Sequence, residues 1–210
     1  MTSTQRDLLI SGADVVGSGR ADIAVKDGTI VAMGPGAADA LTDPRRIGAD
    51  GLIALPGLVD MHTHLRQPGG EDAETVLTGT RAAAVGGYTA VHAMANTSPV
   101  ADTASVVDQV LRLGEEAGWV QVRPVGAVTE GLGGARLAAL SAMARSRARV
   151  RVFSDDGKCV SDPVLMRRAL EYVKGFGGVI AQHSQDPALT EGAQMNESTL
   201  SGELGLAGWP

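Results

Sequence analysis

The chain has 210 residues with a formal net charge of −6, and 44% of the residues are hydrophobic. These values are typical of a globular protein with a sizeable core. The mild acidity and the lack of a basic cluster argue against nucleic-acid binding. The single cysteine, Cys159, excludes an internal disulfide framework and favours a reducing compartment. No apolar signal core or membrane-length run is present, so the sequence predicts a cytoplasmic protein without a membrane segment.

Residues 1–55 read as a series of short β-elements: "DLLISGADVV", "ADIAVKDGTIVAMG" and "RRIGADGLIALPG". In the middle segment, Asp27-Gly28 lies between two runs of alternating apolar residues. An Asp-Gly pair in this setting predicts a β-hairpin. We therefore expect a small β-rich domain over residues 1–55 and a second domain over residues 56–210.

From Leu52 onward, strand-like apolar runs alternate with helical patterns. This alternation predicts an α/β fold built from parallel βα units. Thr103 and the Asp162-Pro163 pair are typical helix-start signals, and Gly pairs at 86–87 and 177–178 end helices. The five predicted strands are "LIALPGLVDMH", "YTAVHAMAN", "WVQVRPVGAV", "ARVRVFSDD" and "GVIAQHSQD".

Five strand-helix units do not complete a closed (β/α)₈ barrel, which needs eight strands and usually about 250 residues. Two interpretations follow. Either the chain forms an open α/β sheet, or it is the amino-terminal part of a longer protein. A metal site at the strand ends favours the second interpretation.

The first strand of this series ends in an Asp-x-His-x-His pattern formed by Asp60, His62 and His64. Side chains alternate along a strand, so these three point to one side. The simple interpretation is a pair of hydrogen-bonded histidines at a strand end. Two imidazoles on one face also form half of a metal site, and Asp60 is placed to accept a hydrogen bond from a ligating histidine, which favours metal binding.

Other strands also end in residues that bind metals or polar ligands. Asp155-Asp156, His183 and Asn96 follow three of the apolar runs. Taken alone, the two carboxylates are typical of a polar turn, and His183 is typical of a core histidine whose ring nitrogens are hydrogen-bonded. Their shared position at carboxyl ends of parallel strands instead indicates a joint site, and the set of His and Asp ligands suits Zn²⁺. His92 lies within the second strand, where we expect it to pack or to support the site.

The motifs "GLVDMHTHLRQPG", "AMANTSPV", "FSDDGK" and "IAQHSQD", in this order, resemble the amidohydrolase superfamily. Within it they resemble the dihydroorotases of the longer, bacterial class I type. The resemblance covers essentially the whole chain. It implies a (β/α)₈ barrel, here only the first five βα units or so, with a small β-sandwich of which residues 1–55 would form the amino-terminal part.

The resemblance also implies roles for single residues. His62 and His64 match ligands of one zinc ion, Asp156 matches the carboxylate that bridges two ions, and His183 matches a ligand of the second ion. One or two Zn²⁺ per subunit are therefore expected. The implied reaction is the reversible hydrolysis of the cyclic amide of (S)-dihydroorotate to N-carbamoyl-L-aspartate in pyrimidine biosynthesis. Two further residues match the pair that holds the substrate carboxylate: Arg66 and Asn96.

The family pattern continues beyond this chain. The general acid/base Asp and a further His ligand come from later strands of the barrel, so the catalytic Asp is expected beyond residue 210. Gln67 and Ala95 also replace residues that are common in the family. We therefore expect the 210-residue chain alone to be inactive and poorly stable.

Several alternatives remain open. Another cyclic amidase, such as an allantoinase or a dihydropyrimidinase, would share the metal ligands but would act on rings that lack a carboxylate. A catalytically dead homologue would serve as a scaffold for a carbamoyltransferase. An open α/β domain with structural histidines would bind no stoichiometric zinc. Expected partners are the small-molecule substrate, a second copy in a homodimer and aspartate carbamoyltransferase, with no nucleic acid and no membrane.

Overall fold

The computed structural model describes residues 7–210, and this part of the chain divides after Pro56 into two compact units. In the first unit, strands β1 to β3 form an antiparallel meander, and two short strands run parallel to β1. The strand order is β3-β2-β1-β4, with β5 also beside β1. The strands are β1 (Leu8–Val15), β2 (Gly19–Lys26), β3 (Thr29–Met33), β4 (Arg45–Gly48) and β5 (Ile53–Ala54), with a 3-10 helix at Ala37–Ala40.

The predicted hairpin is confirmed. Strands β2 and β3 pair in an antiparallel ladder, and Asp27 and Gly28 form the turn with φ angles of 50° and 76°. Two positive φ angles in a row match the twist of paired strands, and Asp-Gly tolerates them. A small core of Leu9, Ala24 and Ala37 lies behind this sheet. That the unit forms part of a β-sandwich stays a prediction.

The second unit contains the five predicted strands, and all of them are parallel to their neighbours. Strands β6 (Leu58–Thr63), β7 (Tyr88–Ala93) and β8 (Gln121–Pro124) form one sheet in that order. Strands β9 (Val152–Phe153) and β10 (Val179–Ile180) form a second pair. A parallel bridge between Gly126 and Phe153 connects the two groups. Spatial order follows chain order, as in a (β/α) barrel, whereas doubly wound sheets reverse direction at a switch point.

Helices separate the strands as the sequence predicts. Asp162 begins α4 by accepting hydrogen bonds from the backbone N–H groups of Val164 and Leu165, and Gly86 ends α1. Thr103 stands at the start of α2 but makes no side-chain capping bond. The helices are α1 (Val76–Val85), α2 (Ala104–Ala117), α3 (Leu140–Arg145), α4 (Pro163–Lys174), α5 (Pro187–Thr190) and α6 (Thr199–Leu204); a 3-10 helix spans Glu130–Leu132, and β11 (Met195–Asn196) pairs with β12 (Gly208–Trp209).

Two apolar clusters fix the helices on the strands. The larger one surrounds Phe153 and Met143, both fully buried, and the smaller one surrounds Val91 and Val122. Helix α2 approaches β8 so closely that a Cβ atom on Gly114 would lie 2.5 Å from Cβ of Val122. This contact requires glycine, because no larger side chain fits without moving the helix. Within residues 7–210, none of the helices combines the length and apolar character needed to span a membrane.

Candidate metal centre

His62 and His64 lie at the carboxyl end of β6, where strand alternation turns both rings the same way. The Nε2 atoms of both rings lie 3.3 Å from the Asp156 carboxylate, His62 from Oδ1 and His64 from Oδ2. Asp60 behaves differently from the prediction. Its Oδ1 accepts a hydrogen bond of 2.9 Å from the backbone N–H of His62, and not from an imidazole. The short side chain of Asp60 reaches the backbone N–H of His62 more easily than it reaches the His62 ring.

Asp156 follows β9 and forms the centre of the cluster. Only 8% of its side chain is exposed, and its Oδ1 also lies 3.3 Å from Nδ1 of His183, which follows β10. The structure thus brings together all four residues that the sequence proposes as metal ligands. Three histidines, from the ends of the first, fourth and fifth parallel strands, each lie 3.3 Å from one nearly buried carboxylate.

The preceding residue, Asp155, has a different environment. The residue is 1% exposed, and its carboxylate accepts hydrogen bonds from the backbone N–H groups of Val128 (2.8 Å) and Thr129 (3.0 Å) and from the Thr129 hydroxyl. These bonds tie the end of β9 to the loop that follows β8. Asp155 therefore fixes the backbone from which Asp156 projects.

Two side-chain amides contact the histidine rings from the far side. Oδ1 of Asn96 lies 3.0 Å from Nδ1 of His64, and Oε1 of Gln185 lies 3.0 Å from Nε2 of His183. The contact of Gln185 was not predicted, although its position two residues after His183 is a usable signal. An amide oxygen on one ring nitrogen leaves the other nitrogen facing Asp156 in both cases.

The donor set fits a divalent metal ion. Ligand atoms of His62, His64 and Asp156 all lie within 4.8 Å of one another. Zinc takes N and O ligands at about 2.0–2.1 Å, and a tetrahedral arrangement then separates neighbouring ligand atoms by about 3.3 Å. The observed nitrogen–oxygen separations, to Oδ1 for His62 and His183 and to Oδ2 for His64, are each 3.3 Å and so equal the length of such an edge. Charge-assisted hydrogen bonds are shorter, at about 2.7–2.9 Å. The group of His62, His64 and Asp156 can thus hold a metal ion.

The remaining predicted site residues, Arg66, Asn96 and His92, form no hydrogen bond or ion pair with Asp156. Arg66 is exposed, has a left-handed φ of 57°, and makes no ion pair with any residue between 7 and 210. No hydrogen bond joins it to Asn96, whose oxygen instead contacts His64. His92 is half-buried on β7, with Nδ1 3.3 Å from the carbonyl oxygen of Asp60. Its ring does not belong to the group around Asp156.

Comparison with known proteins assigns the family. Residues 51–210 match the family model described as "Dihydro-orotase-like". The chain belongs to the dihydro-orotase-like family. Among similar curated members of this family, a dihydroorotase of Leifsonia xyli subsp. xyli is 68% identical over 204 residues. A dihydroorotase of Streptomyces coelicolor is 64% identical over 203 residues. A dihydroorotase of Mycobacterium tuberculosis is 54% identical over 204 residues.

These dihydro-orotase-like relatives are longer proteins. The Leifsonia alignment covers 96% of this chain but 46% of the relative, and the Mycobacterium tuberculosis alignment covers 97% and 47%. The chain thus spans about half the length of the curated relatives it matches.

Solved structures support the fold of this dihydro-orotase-like chain. The L-hydantoinase (dihydropyrimidinase) of Arthrobacter aurescens superposes with a TM-score of 0.68 at 21% identity, over 89% of this chain and 42% of that one. The dihydropyrimidinase of Brevibacillus agri gives 0.65 at 20% identity, over 88% and 41%. The prediction of an α/β, amidohydrolase-type fold of which this chain forms part is confirmed.

Proposed function

We propose that this chain contributes the metal-binding strands of a zinc-dependent dihydroorotase, which converts (S)-dihydroorotate reversibly to N-carbamoyl-L-aspartate in pyrimidine biosynthesis. The observation that carries the proposal is the convergence of His62, His64 and Asp156 within 4.8 Å, in a chain that belongs to the dihydro-orotase-like family. High identity to proteins named dihydroorotase supports the choice of substrate over other cyclic amides.

Zinc is the proposed metal because the ligands are imidazoles and a carboxylate, a combination that suits a borderline cation. His62 and His64 would hold one ion together with Asp156, and His183 would hold a second ion on the same carboxylate. When bound, zinc lowers the pKa of a coordinated water to about 7 and polarises the carbonyl group under attack. The nearly buried position of Asp156 limits competition from bulk water.

Arg66 and Asn96 are proposed to hold the substrate carboxylate. The guanidinium of Arg66 is exposed and two residues beyond His64, so it is available to bind a carboxylate through two parallel hydrogen bonds. Asn96 uses its oxygen on His64, which leaves its NH₂ group to donate to a ligand. A site with these donors favours dihydroorotate over hydantoin or dihydrouracil rings, which carry no carboxylate.

Hydrolysis adds the oxygen of water to the ring carbonyl carbon, breaks the carbon–nitrogen bond and returns a proton to the leaving nitrogen. The proton transfer requires a general acid/base. We assign this role to none of the four metal-site residues, because their side chains are proposed to coordinate the metal ion. The predicted aspartate outside this chain keeps that role, so the chain alone is expected to bind zinc without turnover.

Metal content is the first test. The purified chain should hold about one to two equivalents of zinc by mass spectrometry, as expected for one or two sites. The double variant His62→Ala/His64→Ala should lose it. His92→Ala is the matched control, because His92 lies on the adjacent strand but its ring does not face Asp156, and it should keep the wild-type zinc content. Equal zinc in all three proteins would contradict the proposed centre.

Substrate turnover is the second test. A chimera of this chain with the carboxyl-terminal half of the Leifsonia xyli dihydroorotase should hydrolyse dihydroorotate and should not act on hydantoin or dihydrouracil. Hydrolysis of the uncharged rings instead would favour another cyclic amidase. A zinc-loaded chimera that turns over none of the three, yet binds aspartate carbamoyltransferase, would favour the scaffold alternative. Either result would overturn the proposed function.

A further inference from the structure

The two amides next to the cluster hold the rings of His64 and His183 by opposite nitrogen atoms. Asn96 contacts Nδ1 of His64, and Gln185 contacts Nε2 of His183. We infer that Asn96 and Gln185 are positioning residues that fix two different imidazole tautomers, so that Nε2 of His64 and Nδ1 of His183 both present a lone pair to a cation at Asp156. The inference rests on the proposed metal site.

Distances indicate where the ring protons lie. A neutral imidazole carries one N–H, and it can donate to the amide oxygen on one side or to Asp156 on the other. The contacts to the amide oxygens measure 3.0 Å, a normal N–H···O length, whereas those to Asp156 measure 3.3 Å. A hydrogen bond from an imidazole N–H to a carboxylate would be shorter than a bond to a neutral amide. The protons are therefore assigned to the amide side.

This assignment has an electrostatic consequence. If the protons of His64 and His183 lie on the amide side, two nitrogen lone pairs face the oxygens of Asp156. The nitrogen lone pairs and the carboxylate oxygens repel one another unless a positive ion lies between them. The amides thus hold the rings in the state that binds a metal, and a bound cation removes the repulsion. Gln185 acts locally from two residues away, while Asn96 acts from the loop that follows the neighbouring strand β7.

The opposite arrangement makes a clear contrast. If the Asn96 NH₂ group donated to Nδ1 of His64, the ring proton would lie on Nε2 and would face Asp156. Metal binding would then require the ring proton to move first. The same holds for Gln185 and His183. The tautomer of each ring in the metal-free protein therefore separates the two arrangements.

The experiment uses the purified chain, and in parallel the chimera, with ¹⁵N-labelled histidine. Long-range ¹H–¹⁵N correlation spectra, recorded well above the ordinary imidazole pKa of about 6.5, distinguish the two neutral tautomers. We expect His64 as the Nδ1–H form and His183 as the Nε2–H form, both with and without zinc. Asn96→Ala should release the tautomer of His64 only, and Gln185→Ala that of His183 only.

Zinc affinity, measured by competition with a chelator, is the second readout. Loss of a group that orients a ligand typically costs 10- to 100-fold in metal affinity, and we expect this range for each alanine variant. Asn96→Asp and Gln185→Glu keep an oxygen acceptor and should restore both tautomer and affinity. Matched controls are Asn196→Ala, at an exposed site, and Gln182→Ala, whose amide binds Cys159 and the Val160 carbonyl group. Both controls should behave as wild type.

Each outcome decides the inference. Opposite tautomers in the wild-type protein, or alanine variants with unchanged tautomers, would overturn it whatever the zinc content. The expected tautomers in a protein that neither binds zinc nor hydrolyses dihydroorotate in the chimera would instead sustain the ring positions and refute the proposed function. The two hypotheses therefore fail in different measurements.

Discussion

Asp155 and Asp156 are consecutive in the chain, yet their carboxylates face different partners. Asp155 is buried against backbone N–H groups of Val128 and Thr129, whereas Asp156 faces three imidazoles. The first carboxylate holds two loops together, and the second carries the proposed chemistry. Asp155 is therefore expected to contribute to stability, and Asp156 to metal binding.

Asp155→Ala should destabilise the protein strongly. The change leaves two buried N–H donors and a buried hydroxyl without their charged acceptor, and hydrogen bonds to charged groups contribute about 1.5–3 kcal/mol each. We expect the free energy of unfolding in urea to fall by about 3 kcal/mol or more. Asp156→Ala is the control, because Asp156 accepts no backbone hydrogen bond from residues 7–210. It should abolish zinc binding with little loss of metal-free stability, and a reversed pattern would contradict the assignment.

Zinc should stabilise the folded chain. A ligand that binds only the folded state at a hundred times its dissociation constant adds about 2.7 kcal/mol. For a protein of this size, this corresponds to a rise in Tm of about 5–10 °C. Thermal unfolding with and without a chelator measures it. His62→Ala/His64→Ala should show no zinc-dependent rise, while His92→Ala should show the full one; a rise in the double variant would place the metal elsewhere.

Arg66→Gln should weaken substrate binding in the chimera. An exposed guanidinium that gains a carboxylate partner forms charge-assisted bonds of about 1.5–3 kcal/mol, and their loss is a 10- to 100-fold rise in KM. Arg66→Lys should recover only part of the loss, because an ammonium group does not bind a carboxylate bidentately. Arg112→Gln, on the surface of α2 beside Glu116, is the matched control and should leave KM unchanged. An unchanged KM in Arg66→Gln would exclude this residue from the substrate site.

Two helical glycines should respond oppositely to alanine. Gly114→Ala places a methyl group 2.5 Å from Cβ of Val122 and should destabilise the protein by about 1–3 kcal/mol. Gly202→Ala, in α6, meets open space and should stabilise it by up to about 1 kcal/mol. Urea unfolding of both variants measures the difference. Equal effects would mean that α2 and β8 are not in the close contact described above.

The exposed edge at β6 should promote association with a second copy. Val59 and Met61 are 53% and 76% exposed, and β6 has a strand neighbour on one side only among the described residues. Because strands β6 to β10 run parallel to their neighbours, the β10 edge of another copy can pair with it. Sedimentation should show species above the monomer, and Val59→Lys/Met61→Lys should reduce them. Val164→Lys, on the exposed surface of α4, should not; no change in the double variant would locate the contact elsewhere.

The two-residue alternation within strands and the order of strand and helix patterns along the sequence sufficed to predict much of the fold. The five strands and the common direction of His62 and His64 follow from alternation, because strand geometry is local. The choice of Asp156 over Asp155 does not follow from the local pattern, since both lie in the same polar turn. It came from the resemblance to a family, and the structure separates the two by burial and partners.

The strand ends were predicted to meet, but the individual contact between Asn96 and His64 was not. Asn96 meets His64 because the backbone N–H of Met94 binds the carbonyl oxygen of Thr63 and draws the ends of β6 and β7 together. The periodicity of the sequence does not specify how the ends of β6 and β7 align. The Asp60 carboxylate was expected to accept a hydrogen bond from a ligating imidazole, but it accepts one from the backbone N–H of His62, which is the nearer donor.

The cluster around Asp156 joins parts of the chain that lie far apart, since His62 and His183 are separated by more than half of its length. An ion held there closes a long loop and removes many conformations from the unfolded ensemble, as a covalent cross-link does. A chain with one cysteine cannot form such a link between its own thiols. Metal supply would then influence how much folded protein accumulates.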